Sequence, residues 1–138
     1  MRRIIAILAL YFLPGIPVVA AADSFALYTD ACYHVEAGDL LGYRIGVIRL
    51  SDDPYVFVQE AGGVWAKPIV AKASATDLKR GRLVFTISDD GKPVSFRGTI
   101  SEKMVTGQFD GWLDFKDKPL VVRLSRVPAS KKGVPDCR

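Results

Sequence analysis

Between residues 82 and 127 the chain reads RLVFTISDDGKPVSFRGTISEKMVTGQFDGWLDFKDKPLVVRLSRV, and its large apolar residues recur at every second position or at multiples of two. Leu83, Phe85 and Ile87 form a first run, Val94, Phe96 and Ile100 a second, Val105 and Phe109 a third, and Leu120, Val122 and Leu124 a fourth. The residues between them, such as Thr86, Ser88, Ser95, Arg97, Thr99, Thr106, Gln108 and Arg123, are mostly polar. Successive side chains of an extended chain point to opposite faces, so this spacing gives strands with one apolar and one wet face. Asp89-Asp90-Gly91 and Ser101-Glu102-Lys103 supply turns, and Asp110-Gly111 opens a longer link. The stretch predicts a four-stranded antiparallel meander.

Upstream, residues 39–50 (DLLGYRIGVIRL) predict a long strand, with Leu41, Tyr43, Ile45 and Val47 on one face and Ile48 and Leu50 on the other. Gly42 and Gly46 offer places for a bulge or bend, which a curved sheet needs. Ser51-Asp52-Asp53-Pro54 is a turn, residues 55–60 return as a strand, and Ala61-Gly62-Gly63 is read as a further turn. Pro68 cannot donate to a ladder, so residues 64–73 belong at an edge, at a bulge or outside the sheet. Residues 76–81 suit a loop or one helical turn, and residues 24–38 fit a short strand and a helical turn equally well. Seven or eight short strands joined by hairpins predict an all-β fold, a small antiparallel meander closed or nearly closed into a barrel. A β-sandwich is the alternative. Its crossovers would have to come from residues 64–81 and 110–119.

The chain opens with Met1-Arg2-Arg3, an apolar run IIAILALYFL, a Pro-Gly-Ile-Pro break and then VVAAA. A basic patch, a short apolar core and small residues in that order predict a cleaved secretory signal over residues 1–22, and the run is too short for a membrane span. The expected mature chain, residues 23–138, suits one domain. Losing Arg2 and Arg3 takes the 19 basic residues to 17 against 15 acidic, a net charge of +2. No basic stripe interleaved with aromatics occurs, so nucleic acid is not an expected partner. Export implies an oxidising compartment, secreted or periplasmic, in which Cys32 and Cys137 are expected to pair and staple the tail to the start of the fold.

Catalytic signals are sparse. His34 is the one imidazole, and no G-x-S-x-G, H-E-x-x-H or phosphate-cradling glycine loop is present. Asp52-Asp53 and Asp89-Asp90 are adjacent carboxylate pairs, but both fall in turns, where Asp caps the backbone. No metal set and no cofactor is expected. Gly63-Val64-Trp65 resembles the G-x-W signature of lipocalins, although it falls in the third expected strand; the resemblance implies barrel architecture and assigns no residue a role.

Aromatic residues carry the binding expectation. Trp112 and Phe115 lie in the GWLDFKDK link, where an exposed Trp marks an interface or cavity rim and a buried one plugs the barrel's end. Trp65, Tyr43, Tyr55 and Phe57 are expected either to line an interior cavity or to fill it. The chain therefore reads as an exported, non-catalytic binding domain that holds a small apolar molecule in its barrel or meets a protein through its loops. The alternative is a small hydrolase-like enzyme using surface carboxylates with His34.

Overall fold

A computed structural model describes residues 25–50, 53–112, 118–131 and 133–137. Strands β1 (Phe25–Thr29), β2 (Cys32–His34), β3 (Asp39–Ile48), β4 (Tyr55–Trp65) and β5 (Ile69–Lys72) precede a single 3-10 turn at Leu78–Arg80. Strands β6 (Arg82–Asp89), β7 (Lys92–Ile100), β8 (Met104–Asp110) and β9 (Leu120–Arg126) follow. They form one antiparallel sheet in the order β5-β4-β3-β1-β9-β8-β7-β6, with β2 paired to β3 off that path. The two ends of the path, β5 and β6, pack against each other without forming a ladder, so the sheet is a barrel closed everywhere except at one seam.

The meander from β6 to β9 follows the alternation. Leu83, Phe85, Ile87, Val94, Phe96, Ile100, Val105, Phe109, Val122 and Leu124 are all buried in one core. Asp90 and Gly91 both have positive φ, 47° and 78°, between the paired residues Asp89 and Lys92. That is the two-residue hairpin whose twist matches its flanking strands. The inward positions 98 and 107 are glycines that face each other across β7 and β8, and a Cβ on either would collide with the Phe96 ring and the opposing backbone. Their bareness lets Phe96 lie flat over the two strands.

Within residues 25–38 the chain forms two strands, β1 and β2, with Ala26 and Tyr28 alternating inward while Phe25 and Leu27 pair outward along β3, and residues 35–38 then form a turn in which Gly38 N–H donates to His34 O at 2.8 Å. The turn expected at Ala61-Gly62-Gly63 is displaced. β4 stays in register with β3 as far as Gly63 opposite Leu40, and only then, where Gly63 has φ +90°, does the chain curl so that Ala66 N–H donates to Glu60 O at 2.8 Å. Two consecutive glycines read as a turn, but here they let a long strand coil. Pro68 falls in the link before β5, the short strand at one end of the path, as its missing N–H requires.

Cys32 and Cys137 are bonded, with Cα atoms 4.8 Å apart. The tail is also held by main-chain bonds: Tyr33 N–H donates to Pro135 O at 2.7 Å and Cys137 N–H to Tyr33 O at 2.9 Å. The bridge closes a separation of 105 residues, for which loop-closure entropy gives an upper figure of about 4.7 kcal/mol. Replacing both cysteines by serine is expected to lower unfolding free energy by about 2–4 kcal/mol. A urea titration of the two proteins measures it, and an unchanged midpoint would contradict the staple.

Candidate functional site

The interior is filled by aromatic rings. Phe85 stacks on Phe96 with centroids 4.9 Å apart, Phe96 meets Phe109 at 4.8 Å, and Phe109 meets Trp112 at 5.0 Å. Trp112 leaves β8 after Asp110-Gly111 and turns back over the barrel mouth, where it is 5% exposed and meets the Tyr43 ring edge-on at 5.9 Å. Glu60 links the two: its Oε1 accepts from the Tyr43 hydroxyl at 3.1 Å and its Oε2 from Trp112 Nε1 at 3.3 Å. Trp112 is thus the plug of this end. At the other end buried Tyr28 reaches from β1 to the β7–β8 turn and donates to Ser101 O at 2.8 Å.

The other aromatic candidates lie elsewhere. Phe57 and Tyr55 do not face the interior. Their cross-strand partners are Gly46 and Ile48, which alternate with the inward Ile45 and Val47. The Phe57 ring lies over bare Gly46, where any Cβ would overlap it, and stacks on Phe25 at 6.2 Å. Trp65 is also outside the core, with the Arg44 guanidinium 4.0 Å above its ring. Arg44 Nε donates to Gln59 Oε1 at 2.7 Å, and Gln59 Nε2 donates to Ala66 O at 2.7 Å, which pins the coiled end of β4. Partial burial there draws the Arg44 pKa below its ordinary value. Phe115 lies outside the described residues. His34 is exposed, and its Nδ1 accepts from Ala37 N–H at 3.2 Å, a turn-capping bond.

What the sequence did not reveal is the contrast between the two halves of the outer surface. On β6 to β9 most of the outward residues are polar and several pair across strands, Thr86 with Ser95 at 3.2 Å, Thr99 with Thr106 at 2.9 Å, and Arg97 with Asp110 at 3.4 Å, with exposed Val121 an isolated apolar exception on β9. On β5, β4, β3 and β1 the register instead aligns two apolar rows, Val70-Phe57-Gly46-Leu27 and Tyr55-Ile48-Phe25. Phe25 is 46% exposed, Tyr55 38% and Val70 61%. On β5 the Tyr55 row is preceded by Lys72, which bonds Asp53 at 2.8 Å; that carboxylate raises the lysine's pKa. Reading pairing from the sequence alone would have required the β3–β4 register, which decides whether Phe57 faces Gly46 outside or the core inside.

Clefts among the described residues open at the surface. One of about 710 Å³ at the Tyr28 end is bordered by Arg49, Lys79, Glu102 and Arg126. Another, of about 470 Å³, lies at the seam, between Pro68 and Val70 on one side and Ser88 and Asp90 on the other. No group of three His, Cys, Asp or Glu residues suited to a metal occurs among the described residues, and no helix there is long and apolar enough to cross a membrane.

The fold and these surfaces define the class of the protein, a nearly closed antiparallel β-barrel with one disulfide. No protein-family model, curated protein or solved structure matches the chain.

Two substitutions test this geometry. Trp112→Ala is expected to destabilise by about 3–5 kcal/mol through lost packing at the barrel mouth, measured by thermal or urea unfolding; an effect below about 1 kcal/mol would contradict the plug. Gly46→Val is expected to cost about 1–3 kcal/mol by overpacking and to shift the Phe25 and Phe57 ring resonances in NMR spectra, whereas unmoved rings would mean that Phe57 does not rest on Gly46.

Proposed function

We propose that the chain is an exported, non-catalytic domain that binds another protein through the apolar outer face of β1, β3, β4 and β5. The observation that carries this reading is the asymmetry of the barrel's surface. A sheet face that was merely solvated would carry the Thr, Ser and Arg pairs found on β6 to β9, but two aligned apolar rows with Phe25, Tyr55 and Val70 open to water favour a partner. The small-ligand version is less well supported, because the volume a carrier would keep hollow is occupied by Phe85, Phe96, Phe109 and Trp112. The hydrolase-like version lacks support from His34, which is exposed and committed to Ala37 N–H. Export is supported by the disulfide, which is compatible with an oxidising compartment, and by the order of charge, apolar run and small residues at the start of the chain.

The test is site-specific photo-crosslinking in producing cells, combined with native mass spectrometry of the purified protein. A crosslinker at position 70 is expected to yield a discrete protein adduct, and one at Arg97 on the polar face is expected to yield none. Phe57→Ser should remove most of the adduct at position 70. Equal crosslinking from both faces, or a small molecule co-purifying in stoichiometric amount, would overturn the proposal.

A further inference from the structure

We infer that the partner seats an acidic side chain, the carboxylate of an aspartate or glutamate, in the cleft at the Tyr28 end while its apolar residues lie on the rows of β1, β3, β4 and β5. This rests on the protein-binding reading and names the chemistry of the partner.

The cleft gathers charge from parts of the chain that are far apart in sequence. Arg49 follows the last residue of β3, Lys79 lies in the 3-10 turn before β6, Arg126 ends β9 and Glu102 lies in the β7–β8 turn, yet all four border one recess of about 710 Å³. Three cations against one carboxylate leave that recess positive. Among the described residues neither Arg49 nor Lys79 forms an ion pair, and Glu102 pairs with neither. Elsewhere on the surface Lys72, Arg80 and Arg97 are each paired with an aspartate. Like charges brought to one recess without a counter-charge from the chain attract an incoming anion.

One of the cations is also placed in advance. Tyr28 is buried and tied through its hydroxyl to Ser101 O at 2.8 Å, and the Arg126 guanidinium stands 5.9 Å from the centre of its ring. Arg126 N–H donates to Lys103 O at 2.8 Å, which fixes the end of β9 against the β7–β8 turn. A guanidinium held this way loses little freedom when it takes a carboxylate through two parallel bonds.

The recess is continuous with the apolar face. Ile48, in the row with Tyr55 and Phe25, is followed directly by Arg49 and then by Leu50, which is 71% exposed. On β1, Phe25 and Leu27 face outward and the next residue, Tyr28, lines the cleft. A chain lying on the rows therefore has the positive recess at its edge, and an acidic side chain beside its apolar ones is the complement. Glu102 on the rim disfavours a continuous anionic surface, whereas a single carboxylate on a flexible stem can enter between the cations.

The probe is a synthetic peptide with two glutamates between pairs of leucines, titrated into the intact disulfide-bonded protein at low salt and followed by amide shifts in NMR spectra. Saturable shifts are expected at Lys79, Glu102 and Arg126 together with Phe57 and Val70. Replacing the glutamates by glutamine should weaken binding roughly tenfold, as should Arg49→Glu combined with Lys79→Glu, whereas Glu102→Gln should tighten it about twofold. Arg49 and Lys79 are exposed and lie outside the core; if the double variant nevertheless does not fold, Glu102→Gln and the glutamine peptide decide. No saturable shift at millimolar peptide, equal binding of both peptides, or affinity unmoved by these substitutions would overturn the inference. So would binding to vesicles of anionic phospholipid that the double variant abolishes, which assigns the cleft to a membrane, or the same shifts on concentrating the protein alone, which assign it to a second copy. The crosslink at position 70 separates the two readings. If it persists undiminished in the double variant, the apolar face stands and the acidic contact falls; if position 70 yields no adduct while the cleft responds to the peptide, the protein-binding reading fails and takes the inference with it.

Discussion

Everything in this barrel depends on a continuous aromatic stack that crosses it from Phe85 through Phe96 and Phe109 to Trp112, with Tyr43 edge-on at its end. Neighbouring rings sit within the range where face and edge contacts add to simple burial. The rings come from β3, β6, β7 and the end of β8, so the stack binds the N-terminal strands to the C-terminal meander. It needs two absences to form. Gly98 and Gly107 face each other beneath Phe96, and side chains there would lift the ring off the sheet. A barrel this small is held by what fills it, and here the filling is a run of bulky rings.

That surface is divided by register. Outward positions on β6 to β9 form cross-strand hydroxyl pairs and an Arg–Asp pair, each worth little in water but together a wetted face. On the other half, Gly46 is the hinge of the arrangement. Without a side chain of its own it gives Phe57 a place to lie down, and Phe57 in turn gives Phe25 a ring to stack on. Ordinary strands would have placed a polar residue opposite Phe57. Gln59, Arg44 and Thr29 form the next row along, where Arg44 over Trp65 ends the apolar area.

How much of this could be read from the residues varied with whether one face of each strand meets water. Residues 82–127 alternate cleanly because their outer face is wet, so their pairing was legible and every expected strand is present. The first half lacks that contrast. Residues 39–50 are apolar on both faces because the outer one carries Ile48 and rests against Phe57 through Gly46, and period two then cannot assign the side. Tyr55 and Phe57 were placed inside for the same reason. Ala61-Gly62-Gly63 misled in another way, since glycine marks both a turn and a coiled strand, and only the pairing of Gly62 with Leu41 and Gly63 with Leu40 separates them. The disulfide was legible from two cysteines together with the expectation of export. The plugging role of Trp112 depends on Glu60, a partner 52 residues away that no local pattern reveals.

The unclosed seam needs its own explanation, because a sheet of this size could remove its edges by pairing β5 with β6. Thr76 and Asp77 already occupy the outward positions of β6 at Arg82 and Val84, so a continuous ladder cannot start from that corner. Toward the opposite end the strands are parted by a cleft, and Trp112 lies beneath it. Exposed edges commonly carry Lys and stay short, and β5 is four residues long with Lys72 paired to Asp53 at its end. Shortness and charge discourage broad edge-to-edge association of whole barrels, and β6 packed beside β5 covers much of what remains of that edge.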